Sequence, residues 1–403
     1  MLPFFLLLTL ASSPPKKATG DEVRFTKPSE AYTFAHQPLT EWESALRAGK
    51  EPPTKIAPRD EVHTRAKRLC SAFDVMGQTG EELYSLALLC EDARDWQQTK
   101  RSAERYLDGR APEHGPEARL LLVDCRLADS RLDLAWRTLR LVLQKDPIGS
   151  EQELKTRIVI DHESDTDYEK ALEWSKERYS LLMLRAQVQT AGLRPVSIQY
   201  LQMAGSDLVH RYYLAGQTDQ AKAVLAELNR TQKEYPDVTQ GWGPDQLRWA
   251  NMEMQPAPPI PVLKRYANKS GAEWNRRGRV EVISFFFIGC APCMSEFPDL
   301  NALQKQYGGK ILVADVTSYE ANSRSTFSTR REIEAAVSKL RLESAPDLFM
   351  VITTKEALES FSVHGFPTVA LIDKEGRVRS VSLDKDFGNE EPLGRLIRRL
   401  VKE

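Results

Sequence analysis

The C-terminal third of the chain alternates short apolar runs with stretches whose apolar residues recur at helical spacing. The first run, 280–288, has the length and composition of a buried β-strand. Four later runs rich in apolar and β-branched residues predict further strands: 310–316, 348–352, 368–373 and 377–383. Helices are predicted after Cys293, over 332–340, over 356–361 and from Pro392 onward. This order predicts a mixed sheet with helices on both faces.

Two of these strands are separated only by Lys374-Glu-Gly376. Because glycine adopts positive φ readily, this spacing predicts a β-hairpin with Gly376 in its turn.

Residues 60–250 are polar, charged and helix-prone, with regularly spaced alanines and leucines. A small residue recurs at Thr99, Ala135 and Ala171, a constant spacing of 36, and again at Ala221. This pattern is similar to tetratricopeptide (TPR) helix pairs, which repeat about every 34 residues. It predicts an all-α repeat domain whose concave face could bind a protein partner. The alternative is an irregular helical bundle.

The resulting domain plan has five parts. The sequence predicts a signal peptide over 1–13, an extended or irregular segment over 14–59 and the helical domain over 60–250. A Pro-rich linker over 251–262, expected to hold the domains apart, then leads to an α/β domain over 263–403.

The N-terminal sequence and the net charge limit the cellular compartments and the classes of partner that can be expected. The run 2–11 resembles the apolar core of a signal peptide, although it lacks the usual basic residues before it, and it is too short to span a bilayer. We therefore expect a periplasmic or secreted protein with no stable membrane span. A formal net charge of −1 gives no electrostatic reason to expect nucleic-acid binding.

The most informative motif is Cys290-Ala-Pro-Cys293, which joins the first predicted strand to a helix. A thiol at a helix N-terminus ionises more readily because the unpaired N–H groups and the helix dipole favour its thiolate. A second thiol one turn away can close a disulfide on it, so the motif predicts a dithiol/disulfide redox centre. One alternative is half of a zinc site. Another is a copper site completed by His364, although copper carriers with this α/β order of elements usually have three residues between the cysteines, whereas this motif has two.

The motif and its surroundings resemble the thioredoxin fold, and more narrowly the bacterial thioredoxin-like disulfide reductases of the TlpA/ResA type. The matching pieces are Cys290-Ala-Pro-Cys293, Glu296-Phe-Pro298 and Gly365-Phe-Pro367-Thr368, and the resemblance covers about 260–403. It implies a cis-proline at Pro367 opposite the cysteines, with Phe366 and Thr368 beside it in the substrate-binding loop. Proline is the residue for which a cis peptide costs least.

Two positions depart from the family pattern. Gly289 stands where the family usually has tryptophan, so a wall beside the nucleophile is missing and a wider substrate could bind there. Ser284 stands where cytosolic thioredoxins have a buried acid, and serine is not a base at neutral pH. Glu296, one turn after Cys293, is the nearest carboxylate in sequence and is a candidate proton relay or, alternatively, an ordinary helix residue.

Together these features predict an exported thiol-disulfide oxidoreductase. The resemblance implies protein disulfide or dithiol substrates, a redox donor or acceptor protein, and no cofactor or metal. The catalytic residues would be Cys290, Cys293, Pro367 and Glu296. One alternative is a non-catalytic binding scaffold; another is a peroxide-reducing enzyme, whose usual cysteine surroundings are not evident. Cys70 and Cys90 could form an additional disulfide on neighbouring helices.

Overall fold

The computed structural model describes residues 24–54, 57–110, 112–146, 149–188, 194–238, 242–266, 278–322, 327, 329–382 and 392–403. The predicted signal peptide lies outside the described residues. The chain divides into two compact units, one ending at Arg131 and the other beginning at Leu132. Because α6 to α11 are grouped with the sheet, this division differs from the single helical domain expected over 60–250.

The described residues of the first unit contain five α-helices: α1 (Pro28–Arg47), α2 (Arg59–Cys70), α3 (Glu81–Asp92), α4 (Trp96–Leu107) and α5 (Gly115–Ala128). Its core is formed by small and aliphatic side chains, among them Ala66, Leu86 and Leu89. Cys70 at the end of α2 is disulfide-bonded to Cys90 on α3, so the additional disulfide considered from the sequence is present. Both cysteines are buried, as is the free Cys125.

The expectation of an extended segment over 14–59 is wrong for its central part, because residues 28–47 form helix α1. Ala31 and Ala35, one helical turn apart, are fully buried in the cluster that also contains Ala66 and Cys70. The buried residues within α1 are Pro28 and two alanines, and Pro38 lies inside the helix, so the apolar periodicity of this segment is weak.

The second unit opens with six helices: α6 (Leu132–Lys145), α7 (Ser150–Thr166), α8 (Tyr168–Val188), α9 (Arg194–Leu214), α10 (Thr218–Glu234) and α11 (Trp242–Met252). The small residues used to align the repeats occupy equivalent places: Thr99, Ala135, Ala171 and Ala221 are each the fourth residue of a helix and fully buried. This agreement concerns position within each helix, and the assignment to the TPR class stays a prediction.

The remaining elements form an α/β fold. Its six strands are β1 (Lys264–Tyr266), β2 (Val280–Phe285), β3 (Ile311–Ser318), β4 (Phe349–Thr353), β5 (Thr368–Ile372) and β6 (Val378–Ser382). Its helices are α12 (Ala291–Tyr307), α13 (Tyr319–Asn322), α14 (Arg330–Ser344), α15 (Lys355–Ser360) and α16 (Pro392–Lys402).

The strands form one mixed sheet in the order β1-β4-β3-β2-β5-β6. The pairs β2–β3 and β3–β4 are parallel, whereas β1–β4, β2–β5 and β5–β6 are antiparallel. The predicted hairpin is confirmed, with Gly376 at φ +81° in the turn between β5 and β6. The short polar strand β1 was not predicted.

Both faces of the sheet are buried, as expected for its parallel central strands. On one face, Val282 and Val313 pack with Phe297, Val337 and Ile397 from α12, α14 and α16. The other face contains side chains from the adjacent positions of the same strands, including Ile283, Phe285 and Ala314. Trp249 of α11 packs into this second cluster and donates its indole N–H to the carbonyl oxygen of Ser362 at 3.2 Å.

The Pro-rich segment 251–262 is bonded to the sheet instead of holding two regions apart. Met254 and Ala257 donate their N–H groups to the carbonyl oxygens of Val378 and Gly376, at 2.7 and 2.8 Å. Further along, Leu263 donates to the carbonyl oxygen of Ile352 at 2.9 Å, just before β1 pairs with β4. The segment thus contacts β6, one of the two outer strands, and leads directly into β1, the other.

Candidate active site

The cysteine pair lies where β2 ends and α12 begins. Cys290 is the N-cap residue of α12, and the N–H of Cys293 donates to the Cys290 Sγ at 3.2 Å. The two cysteines form a disulfide and are 3% and 1% exposed, respectively. In the reduced protein, the same N–H group and the helix dipole would stabilise a thiolate on Cys290. The predicted dithiol/disulfide geometry is therefore present.

A buried asparagine holds the loop that leads into the disulfide. Asn322, at the end of α13, accepts a hydrogen bond from the N–H of Ile288 at 2.7 Å. Its amide nitrogen donates to the Thr317 hydroxyl and to the carbonyl oxygen of Ser318, at 2.8 and 2.7 Å. Gly289 follows with φ +92°, a backbone conformation that side-chain-bearing residues rarely adopt. Glycine at this exposed position is thus favoured by its backbone conformation, in addition to the space that the missing side chain leaves beside Cys290.

The loop before β5 contributes the predicted proline. The Phe366–Pro367 peptide is cis, as expected from the sequence, and Pro367 is buried. Phe366 makes an edge-to-face contact with Phe287, with ring centroids 5.5 Å apart. Thr368 is fully buried and donates its hydroxyl to the carbonyl oxygen of Gly365 at 2.8 Å, so its side chain braces the loop.

Three polar side chains lie on the same side of the sheet as the cysteines. Glu296 on α12 is 2% exposed and accepts a hydrogen bond from the Ser284 hydroxyl at 3.4 Å. Asp315 on β3 lies directly opposite Ser284 in the parallel register and is fully buried. Although Ser284 is not an acid, the site contains a second carboxyl besides Glu296, because Asp315 on the neighbouring strand supplies it.

Asp315 is in an unfavourable place for an ionised carboxylate. Neither of its carboxylate oxygens has a hydrogen-bond partner among the described residues. Burial, and secondly the charge of Glu296, raise the pKa of Asp315 well above its usual value. A carboxyl group that holds its proton to higher pH can exchange protons with a thiol at neutral pH more readily than an ordinary aspartate can.

Sequence reasoning missed Asp315, although the strand run Lys310-Ile-Leu-Val-Ala-Asp315-Val316 contains it. An acid inside an otherwise apolar buried strand is a signal that could have identified it. The pairing of Asp315 with Ser284 requires the β2–β3 register, which no local pattern specifies.

A cleft of about 1000 Å³ opens beside the Cys290–Cys293 motif, entirely within the second unit. Pro292 of the cysteine motif and Pro367 line one side of it, together with residues of β6 and α16. The opposite side is lined by residues of α7, α8, α9 and α11, most of them charged or polar. None of these helical residues was identified from the sequence.

Among the described residues, no three His, Cys, Asp or Glu side chains are grouped as metal ligands would be. Within the described ranges, no helix combines the length and apolarity needed to cross a bilayer.

The matches to known proteins described here each cover about a third of the chain. No protein-family model matches the chain. A thioredoxin-like protein of Bacillus subtilis, YneN, is 24% identical over 130 residues, which is 32% of this chain and 70% of that protein. A thiol-disulfide isomerase structure from Corynebacterium glutamicum is 20% identical with a TM-score of 0.30, covering 37% of this chain and 97% of the other.

An exposed lipoprotein thioredoxin from Streptococcus pneumoniae is 19% identical with a TM-score of 0.27, covering 34% of this chain and 98% of that one. The strand order, the cysteine pair at the start of α12 and the cis-proline before β5 agree with the similarity to YneN. The C-terminal part of the chain thus has a thioredoxin-like fold, and the curated relative that it matches is a thioredoxin-like protein.

Proposed function

We propose that this protein is an exported thiol-disulfide oxidoreductase that exchanges the Cys290–Cys293 dithiol or disulfide with protein substrates. The observation that carries the proposal is the position of the cysteine pair at the N-terminus of α12, beside a cleft lined by Pro292 and the cis-proline Pro367. This arrangement supplies a thiolate-stabilising helix end, a resolving thiol one turn away and an opening for the substrate.

In the reducing direction, the Cys290 thiolate attacks one sulfur of a substrate disulfide. A mixed disulfide forms and the other substrate sulfur leaves as a thiolate. The Cys293 thiol then loses its proton, and its thiolate attacks the Cys290 Sγ. The Cys290–Cys293 disulfide forms and the second substrate sulfur leaves, so two electrons have passed to the substrate. With an oxidised centre and a dithiol substrate, the same steps run in reverse, and the reduction potentials decide the direction.

We propose that the carboxyls of Glu296 and Asp315 form an acid pair that takes up the proton lost by Cys293. Glu296 is one helical turn from Cys293 and buried, and Asp315 is buried on the same side of the sheet. The charge of Glu296 contributes to the raised pKa of Asp315, so the protonation of one carboxyl affects the other. Glu296 would be the carboxyl nearer to the thiol, and Asp315 would adjust its proton affinity.

Gly289 and Phe366 border the disulfide in this proposal and Thr368 braces the loop of Pro367, so we assign Gly289 and Phe366 to substrate contact. The buried Cys70–Cys90 disulfide and the apolar run 2–11 support a site of action outside the cytoplasm. We also propose that the helical region takes part in recruiting a partner.

The test is insulin-disulfide reduction with dithiothreitol as donor, comparing the wild type with Cys290→Ser and Cys293→Ser. We expect both variants to lose turnover, and Cys293→Ser to accumulate a mixed disulfide through Cys290. Glu296→Gln should keep the first exchange step and slow the release of substrate. A wild type that exchanges with neither dithiothreitol nor oxidised glutathione would contradict the enzyme proposal and favour the scaffold alternative.

A further inference from the structure

The loop that carries the cis-proline begins with a tight turn at the end of α15. The N–H of Ser362 donates to the carbonyl oxygen of Glu359 at 2.9 Å, and the N–H of Val363 donates to that of Leu358 at 3.0 Å. This pair of bonds is the Schellman arrangement, in which the residue after the helix C-cap adopts positive φ. Ser362 takes that position with φ +52°. Glycine usually occupies it, because a side chain is disfavoured at positive φ, so the conformation of Ser362 depends on further contacts.

The further contacts come from helix α11, which precedes the strands of the sheet. Trp249 is 6% exposed, and its indole N–H donates to the carbonyl oxygen of Ser362 in a buried hydrogen bond of 3.2 Å. A buried carbonyl oxygen that loses its donor cannot turn to bulk water instead. One helical turn earlier on α11, a carboxylate oxygen of Asp245 lies 3.7 Å from the Nε2 of His364. Helix α11 thus contacts the loop at two positions.

Helix α11 is itself closely held by its neighbours. Gly243 packs so tightly against α9 that a Cβ atom there would lie 2.5 Å from the carbonyl oxygen of Gln199. Just after the helix ends, the N–H of Met254 donates to the carbonyl oxygen of Val378 on β6 at 2.7 Å. The donor that holds Ser362 therefore stands on a fixed element, which is what accurate positioning of a functional loop requires.

A continuous set of contacts leads from Trp249 to the redox centre. Trp249 belongs to the apolar cluster on the face of the sheet opposite the cysteines, and Phe366 packs against that cluster. Phe366 also makes the edge-to-face contact with Phe287, three residues before Cys290. A displacement of the loop at its first turn would therefore move Phe366 and Pro367 relative to the disulfide.

We infer that Trp249 is a positioning residue for the redox reaction. By holding the carbonyl oxygen of Ser362, it sets where the cis-proline loop lies relative to the Cys290–Cys293 pair, and so how fast a protein disulfide reacts there. Trp249 acts through the loop, since it lies on the other face of the sheet from the cysteines. This inference rests on the proposed function and adds a residue from the helical region that precedes the sheet.

A matched pair of substitutions isolates the indole N–H. Trp249→Phe removes the donor to Ser362 and keeps an aromatic ring in the cluster. Trp136→Phe is the control, because Trp136 is 4% exposed, donates its indole N–H to a carboxylate oxygen of Glu177 at 3.1 Å and does not line the cleft. Each variant thus deletes one hydrogen bond of a buried tryptophan in the second unit.

Two half-reactions are followed separately by acid quenching and alkylation of the free cysteines. In the first, the reduced full-length protein reacts with insulin; in the second, the oxidised protein reacts with dithiothreitol, which is too small to need orientation by the loop. We expect Trp249→Phe to reduce insulin about tenfold more slowly, equivalent to about 1.4 kcal/mol and typical of one hydrogen bond. The dithiothreitol reaction should be unchanged, and Trp136→Phe should match the wild type in both.

The ratio of the two rate constants separates positioning from a purely structural role, which would lower the urea midpoint without altering that ratio. Equal insulin rates in all three proteins would overturn the inference and leave the proposed oxidoreductase function intact. Equal slowing of both half-reactions in Trp249→Phe would also overturn it, because the damage would then not be specific to the loop. A wild type that reacts in neither half-reaction would instead overturn the proposed function.

A second measurement leaves Trp249 in place and so does not depend on the folding of Trp249→Phe. Coupling between two sites is reciprocal: if the bond to Ser362 favours the bound substrate, the bound substrate favours that bond by the same factor. A cysteine peptide is trapped on Cys290 as a mixed disulfide in the Cys293→Ser protein, with isotope-labelled tryptophan. We expect the indole hydrogen of Trp249 to exchange about tenfold more slowly than in the untrapped protein. Unchanged exchange of that hydrogen would overturn the inference.

Discussion

Replacing Asp315 by asparagine should make the protein more stable, by an amount that grows with pH. Asp315 is fully buried on β3, and neither carboxylate oxygen has a hydrogen-bond partner among the described residues. Burial and the charge of Glu296 raise its pKa in the folded state, whereas the unfolded chain has the ordinary value. The folded protein therefore binds one proton more than the unfolded chain between these two pKa values.

The size of the effect follows from proton linkage. When the folded state holds one extra proton, the free energy of unfolding falls by about 1.4 kcal/mol for each pH unit. Stability attributable to Asp315 is thus fully present below the unfolded pKa and is lost as pH rises through the folded pKa. The asparagine side chain in the Asp315→Asn variant does not titrate. Its amide has unmet hydrogen bonds that cost roughly 1–3 kcal/mol, but this offset is the same at every pH.

The assay is urea unfolding of the oxidised protein at a series of pH values between about 5 and 8, at constant ionic strength. The quantity of interest is the unfolding free energy of Asp315→Asn minus that of the wild type. It should rise by about 1.4 kcal/mol per pH unit and become level once Asp315 ionises in the folded state. In a Glu296→Gln background the levelling should occur at lower pH, because one of the two causes of the raised pKa has been removed.

Asp299→Asn, on the exposed surface of α12, is the control and should show no such slope. A difference for Asp315→Asn that is independent of pH would refute the reasoning, since it would mean that the carboxyl ionises normally in the folded protein. The acid pair would then lose its role in the proposed proton route.

Three further results are expected. Replacing Cys70 and Cys90 together by serine should lower the stability of the first unit by about 3 kcal/mol in thermal or urea unfolding, because the disulfide closes a loop with a sequence separation of 20. An unchanged unfolding midpoint would contradict a structural role for this disulfide. Arg178→Met should cost about 3–5 kcal/mol in urea unfolding because it leaves the buried carboxylate of Glu153 without its cation, whereas Asp207 keeps its contact with Arg211. A neutral effect would show that Glu153 is well solvated. Asn322→Ala should lower the free energy of unfolding by roughly 1–3 kcal/mol and speed hydrogen exchange of the Ile288 amide, because that amide loses its hydrogen-bond acceptor. Unaltered exchange at Ile288 would contradict the role of Asn322 in holding the loop.

The parts of the fold that sequence reasoning recovered are those with a strong local pattern. The strands β2 to β5 are largely apolar, β6 mixes apolar with polar residues, and the hairpin turn contains a glycine at positive φ. The three residues of β1 carry no such pattern, because Lys264 and Arg265 are polar and exposed, and the strand exists only because β4 offers an edge. Helix α1 was missed for a related reason, since alanines mark its buried side.

The candidate site divides in the same way. The cysteines and Pro367 were predictable because their chemistry and spacing are specific, and the order of elements places them together. Asp315 comes next to Glu296 only through the register of β2 against β3 and the packing of α12. The helical side of the cleft depends on contacts between residues far apart in sequence, such as Asp165 with Arg395, which no local periodicity encodes.

The segment between α11 and β1 has a consequence for anyone who wishes to cut this protein into modules. Its prolines suggest a natural place to truncate, yet Met254 and Ala257 donate to backbone carbonyls of β6 and of the turn before it, at one margin of the sheet. A fragment that begins at residue 263 would lose the cover over β6 and the indole of Trp249. Exposed strand margins pair with other chains, so we expect the fragment to aggregate where the intact second unit stays monodisperse. The thioredoxin-like part of this chain is a portion of a larger folding unit and is not a separable domain.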